Sequence, residues 1–246
     1  MRIVYQLTSP MDKTIGPQEV LRRQSVLRDY AAKGSEVVAE PTATGPASIE
    51  SARDAAIVVP ELMRLAPLAE ERGFDAMIIG CFSDPGIDAL RELLRMPVVG
   101  PGAASLHLAA QLGTRISVLT PAGRGLGRVA ARMRGLGLGE LLVSVRGIGL
   151  SVMELARQEP GALDQAAKAA ALALEQDQAD VLVLGCMSMA FLPGICETLS
   201  ERVGVPIVNP VVAALKTAEM IAGMKLAQSK LAYPFPKRQE TGAGPG

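Results

Sequence analysis

Short β-branched runs alternate with longer segments rich in alanine and leucine along the chain. Strands of a parallel sheet are covered by helices on both faces and read as near-continuous apolar runs, so this alternation predicts βα units. Eight strands are expected, at Ile3–Leu7, Glu36–Glu40, Ala76–Gly80, Pro97–Val99, Arg115–Leu119, Leu141–Val145, Val181–Leu184 and Pro206–Val208. A helical segment follows each, with an irregular stretch after Gly147. Pro60 and Pro67 fall inside the helical segment from Ser48 to Arg72. Proline lacks the backbone donor and clashes with the preceding turn, which predicts a kink or break there.

The pattern also repeats. Asp75-Ala-Met-Ile-Ile-Gly-Cys81 is echoed by Asp180-Val-Leu-Val-Leu-Gly-Cys186, each residue displaced by 105 positions. Pro97-Val-Val-Gly-Pro101 returns as Pro206-Ile-Val-Asn-Pro210, and Arg2-Ile-Val-Tyr-Gln-Leu-Thr8 is faintly matched by Arg115-Ile-Ser-Val-Leu-Thr120. The chain therefore reads as two similar α/β halves. Ligands of open α/β sheets sit at the carboxyl ends of the strands, so the duplicated motifs are expected to face each other across a shared cleft.

Composition narrows the chemistry. A 246-residue chain that is 49% hydrophobic and 20% charged has a substantial core. Twenty-five basic residues balance twenty-five acidic ones, which leaves no net field for nucleic acid or an anionic membrane surface. With no Trp, three Tyr and four Phe, stacking platforms are not expected, and a small polar ligand fits better. The start, Met1-Arg2-Ile3-Val4-Tyr5, lacks a signal-peptide apolar stretch, and no run approaches the roughly 20 residues of a membrane span. The expectation is a cytoplasmic protein. Its three cysteines then read as thiols rather than a disulfide framework.

Two of those thiols carry the functional reading. Cys81 follows an apolar strand and precedes Phe82-Ser83-Asp84-Pro85-Gly86, where Ser83 or Asp84 would cap a helix and Pro85 would suit its first turn. Cys186 follows Val-Leu-Val-Leu-Gly and precedes Met187-Ser188-Met189. Thiols at helix N-termini are expected to have lowered pKa values. A lone cysteine at a strand end is as well explained by packing. Two at matched positions of related halves are not; they suit a two-base proton transfer in which one thiolate removes a proton and the opposite thiol supplies another. No Cys-x-x-Cys or His-Glu-x-x-His spacing suggests a metal.

With Gly45-Pro46-Ala47-Ser48-Ile49-Glu50-Ser51, Val98-Val99-Gly100-Pro101-Gly102 and the two cysteine motifs, the chain resembles the aspartate/glutamate/hydantoin racemase superfamily, in particular its hydantoin and allantoin racemase-like branch. The resemblance covers nearly the whole chain. It implies two similar parallel-sheet α/β domains related by a pseudo-two-fold axis, with the substrate cleft between them. One domain would be residues 1–100 completed by 210–236, the other 101–209, with 237–246 a disordered tail. It further implies an isomerase with Cys81 and Cys186 as the catalytic pair, no pyridoxal phosphate, no metal, and a homo-oligomer. Ser83 and Thr120 would fall in loops that hold the substrate's carbonyl or carboxylate. Two departures stand out. The family's frequent Asn-Pro-Asn is replaced by Tyr5-Gln6-Leu7-Thr8-Ser9-Pro10, and Ser188 stands where a glycine is common.

Gln6, at the end of the first strand, and Thr42, after the second, are further candidate substrate-binding residues, with Ser188 as a pocket-shaping one. His107 reads as a packing residue, Cys196 as an ordinary buried thiol, Glu50 as a first-turn carboxylate favoured by the helix dipole, and Gly123-Arg-Gly-Leu-Gly127 as a flexible loop. Two other readings remain open: a decarboxylase or cis–trans isomerase of the same fold, and a non-catalytic small-molecule-binding protein.

Overall fold

The computed structural model describes residues 1–121 and 126–237, so residues 122–125 of the glycine-rich segment and the tail from 238 onward lie outside it. Strands β1 (Arg2–Leu7), β2 (Glu36–Glu40), β3 (Ala76–Gly80) and β4 (Val98–Val99) form one sheet in the order β2-β1-β3-β4. Strands β5 (Ile116–Thr120), β6 (Leu142–Gly147), β7 (Val181–Leu184) and β8 (Ile207–Val208) form a second in the matching order β6-β5-β7-β8. All pairings are parallel. The helices are α1 (Met11–Thr14), α2 (Pro17–Tyr30), α3 (Ala52–Glu71), α4 (Ile87–Leu93), α5 (Pro101–Leu112), α6 (Leu126–Gly135), α7 (Val152–Ala156), α8 (Ala162–Asp177), α9 (Met187–Ala190), α10 (Ile195–Val203) and α11 (Pro210–Gly223). The fold is the expected α/β class with two similar units. The last helix, α11, packs against α5, β3, β4 and α2. Among the described residues no helix is long and apolar enough to cross a membrane.

The repeated residues do the same work in both sheets. Asp75 accepts the backbone N–H of Arg2 at 2.7 Å, and its counterpart Asp180 accepts that of Arg115 at 2.8 Å, each fixing where the neighbouring strand begins. The Pro97 carbonyl takes the N–H of Met77 at 2.9 Å, and the Pro206 carbonyl that of the matched Leu182 at 3.0 Å. A Cβ on Gly80 would stand 2.8 Å from the Gln6 carbonyl oxygen, and one on Gly185 2.8 Å from that of Leu119. Only glycine lets the chain pass that close to the adjacent strand before each cysteine.

Side-chain parity divides the first sheet's core. Ile3, Tyr5, Leu7, Ala76 and Ile78 join the large core shared with the second sheet, while Val4, Met77 and Ile79 pack with Val58, Leu62 and Ala66 of α3. Helix α3 begins only at Ala52, after the Ser51 cap, and is assigned without interruption through Pro60 and Pro67, so the expected break does not occur. The two carbonyls left without an intrahelical donor belong to Ala56 and Met63, which are both exposed. Water can satisfy them there, while Val58, Leu62, Ala66 and Ala69 hold the buried face.

Candidate active site

The carboxyl ends of β1, β3, β5 and β7 open onto one cavity of about 890 Å³, lined at those ends by Leu7, Cys81, Thr120 and Cys186. Five of the expected site residues line it: Cys81, Ser83, Thr120, Cys186 and Ser188. Gln6 and Thr42 do not. Gln6 is an even-numbered residue of β1 and lies one step out of phase with Tyr5 and Leu7. Its amide donates to the carbonyls of Leu7 at 3.1 Å and Glu40 at 2.8 Å, which fastens β1 to β2. Thr42 is 1% exposed and its loop is tied back by its N–H to the Ser9 carbonyl; the cavity is reached further on, by Ala47 to Ala52.

Cys81 sits in a turn, six residues before α4 begins, and not at a helix N-terminus. Asp84 explains why. It adopts a left-handed backbone (φ 46°), and its carboxylate turns away from α4 to accept the N–H groups of Gly102 at 3.0 Å and Ala103 at 3.1 Å, capping α5, while also pairing with Arg132. In the second repeat α11 is capped by its own Asn209, which accepts from Val211 at 2.9 Å. In the first repeat the equivalent residue is Gly100, and the place its Cβ would take is filled by the Asp84 carboxylate. Gly102 is similarly constrained, since a Cβ there would collide with the Phe82 carbonyl oxygen. The Gly-Pro-Gly motif thus exists to let the Cys81 turn lie against the start of α5.

Cys186 is the N-cap residue of the one-turn helix α9. The expected lowering of both thiol pKa values is not found. Burial pushes Cys186 up to about 11, against hydrogen bonds from the Met189 and Ser188 N–H groups, and negative charge on Cys81 raises it further while Arg23 lowers it. Burial also raises Cys81, although its bond to the Ser83 hydroxyl, 3.2 Å away, and the charge of Arg132 act in the opposite direction. A single turn, or none, supplies too weak a dipole to offset desolvation. The two thiols feel each other's charge, and loss of a proton from one disfavours loss from the other.

Two further groups reach this region unannounced by any motif. Arg23, on α2, is 2% exposed and lines the cavity; it donates to Glu19 at 2.7 Å and to the Ser188 hydroxyl at 3.0 Å, and lies 4.8 Å over the Phe191 ring. In sequence, Glu19-x-x-Arg22-Arg23 looks like a solvated helix face. Tyr5 does not line the cavity, and its hydroxyl is buried with no partner among the described residues; burial raises its pKa, Arg23 lowers it, and charge on either Cys81 or Cys186 raises it. It therefore stays protonated near both sulfurs.

The remaining candidates lie elsewhere. His107 is on an exposed position of α5 and neither packs in the core nor faces the cavity. Glu50 lines the cavity but precedes the Ser51 cap, so the first-turn carboxylate of α3 is Asp54. Cys196 is half-buried against a separate cavity of about 300 Å³, and burial raises its thiol to about 11. Among the described residues no three His, Cys, Asp or Glu side chains gather as metal ligands would.

Residues 22–218 match the family described as Asp/Glu/hydantoin racemase. The hydantoin racemase of Pseudomonas sp. (strain NS671) is 32% identical over 93% of this chain and 92% of its own length. That of Rhizobium meliloti is 35% identical over 80% of each. Among solved structures, allantoin racemase from Klebsiella pneumoniae superposes with a TM-score of 0.89 at 29% identity, covering 97% of this chain and 95% of that one.

Proposed function

Because the chain belongs to the Asp/Glu/hydantoin racemase family and is an isomerase of the racemase kind, we propose that it inverts the stereocentre of a small hydantoin-like or amino acid-derived molecule, using Cys81 and Cys186 as opposed base and acid and no cofactor. The observation that carries this reading is that two matched Gly-Cys turns, one from each sheet, line the same cavity. One thiolate takes the hydrogen on the stereocentre as a proton. The C–H electron pair forms the enolate double bond, and the carbonyl π pair moves to oxygen. The opposite thiol then delivers its proton to the other face, the pairs return, and the negative charge ends on the second sulfur. Exchange with solvent resets the pair.

Mutual repulsion suits this cycle, because once one thiol has lost its proton it keeps the opposite one protonated and able to donate. Ser83 supports Cys81 through its hydroxyl, and the N–H groups of Ser188 and Met189 support Cys186. Ser83, Thr120 and Ser188 are the hydroxyls we assign to substrate contact. We also assign residues 1–100 with 210–236 to one unit and 101–209 to the other, a division supported by the packing of α11 on β3 and β4.

The test follows racemisation of 5-monosubstituted hydantoins and allantoin by polarimetry, with Cys81→Ser and Cys186→Ser beside the wild type. Each substitution is expected to slow racemisation at least about a hundredfold, the scale of a lost general acid or base. Each should retain exchange of the substrate's α-hydrogen for solvent deuterium with one enantiomer only, opposite in the two variants. Wild-type racemisation by both variants defeats the proposal.

A further inference from the structure

Arg22 and Arg23 share one carboxylate. Glu19 accepts from Arg22 at 2.7 and 2.8 Å and from Arg23 at 2.7 Å. Burial works against the Glu19 charge, but the two guanidinium groups outweigh it and hold its pKa below the usual range. Arg22 is a quarter exposed and its remaining bond goes to the Phe191 carbonyl, whereas Arg23 and Glu19 are almost wholly shielded. Within this trio one positive charge is therefore left over at the cavity wall, with no further carboxylate paired to it among the described residues, in a setting where an uncompensated charge is unfavourable unless an anion meets it.

Arg23 is also held stiffly. Its Nε bonds Glu19, its Nη2 bonds Ser188, and the Phe191 ring lies beneath it, which leaves Nη1 without a protein partner among the described residues. The buried Tyr5 hydroxyl, without a partner among the described residues, does not line the cavity, although charges on Arg23, Cys81 and Cys186 act on it. A fixed cation on the wall of the cavity that both thiols line forms a preorganised place for negative charge. Such a group needs no reorganisation as charge moves from sulfur to a substrate oxygen.

We propose that Arg23, positioned by Glu19 and Ser188, directly binds the substrate oxygen that becomes negatively charged when the stereocentre loses its proton. The inference rests on the racemase reading above and deepens it. The preferred substrates are molecules with a carbonyl bonded directly to the stereocentre, and planar anions that resemble the enolate are the preferred ligands.

Binding separates this idea from catalysis. Barbiturate, a planar cyclic ureide that is an enolate anion at neutral pH, is titrated by calorimetry against neutral 5,5-dimethylhydantoin. The wild type should favour barbiturate at least tenfold, Arg23→Gln should abolish the preference, Arg23→Lys should keep part of it, and Ser188→Gly should weaken it a few-fold. Equal affinities in the wild type, or an unchanged preference in a folded Arg23→Gln, overturn the proposal. If Arg23→Gln does not fold, a crystal structure of the wild-type complex decides: a barbiturate oxygen within hydrogen-bond distance of Arg23 is expected, and a ligand with no atom near Arg23 refutes the assignment. Racemisation measured alongside keeps the two claims apart. Its absence with an Arg23-dependent preference sinks only the two-thiol chemistry, and its presence with Arg23-independent binding sinks only the subsite.

Discussion

At the scale of single residues, burial dominates the chemistry. Cys186 is held at about 11 and Cys81 above its ordinary value, in both cases first by desolvation. A raised thiol pKa means that the neutral form prevails at pH 7 and the thiolate fraction grows as pH rises. The value of kcat/KM should therefore climb from pH 7 through pH 9, beyond the ordinary thiol range near about 8.5. A rate already level below pH 8 would show that the free enzyme holds a thiolate the burial argument denies. Tyr5→Phe bears on the orphan hydroxyl: leaving such a group unpaired costs roughly 1–3 kcal/mol, so its removal should leave the melting temperature unchanged or raise it. A clear fall would reveal a partner. These environments were hidden in the chain for different reasons. Gln6 and Tyr5 differ only in parity, and which parity faces the core shared with the second sheet is set by α3 covering the even side. Arg23 carries no spacing that distinguishes a buried cation from a solvated one until Ser188 and Phe191 are brought to it across more than 160 positions.

At the scale of elements, the strands were legible because most are apolar runs bounded by polar, glycine or proline residues, and all eight lie within two residues of their expected bounds. The Cys81 turn was not. Ser83-Asp84-Pro85 fits a helix cap and a turn equally well, and the choice depends on α5, whose first N–H groups claim the Asp84 carboxylate. Gly102→Ala tests that account. The new methyl meets the Phe82 carbonyl, and overpacking of this kind costs about 1–3 kcal/mol, or several degrees in Tm for a chain of this size. Because Phe82 follows Cys81, kcat should fall with it. A variant as stable and as active as the wild type would mean that the turn has room to spare.

At the scale of the whole molecule, duplication is what makes the site. Two sheets with the same strand order bring two copies of one Gly-Cys turn to a common cavity, and differences between the copies give each thiol its own surroundings: Ser83 and Arg132 for Cys81, Ser188 and Arg23 for Cys186. The repeat itself could be read from the chain, since its aspartate, glycine, cysteine and proline positions match. The borrowed cap could not, because Asp84 replaces in space what Asn209 supplies in sequence. The central claim, that separate thiols serve the two faces of one carbon, is tested most directly by following a single pure enantiomer of a 5-substituted hydantoin with the wild-type enzyme in deuterium oxide at early times. Deuterium should appear in the inverted product while the recovered starting enantiomer keeps its hydrogen. Deuterium entering the starting enantiomer as fast as the product would show one group serving both faces, and would contradict the account.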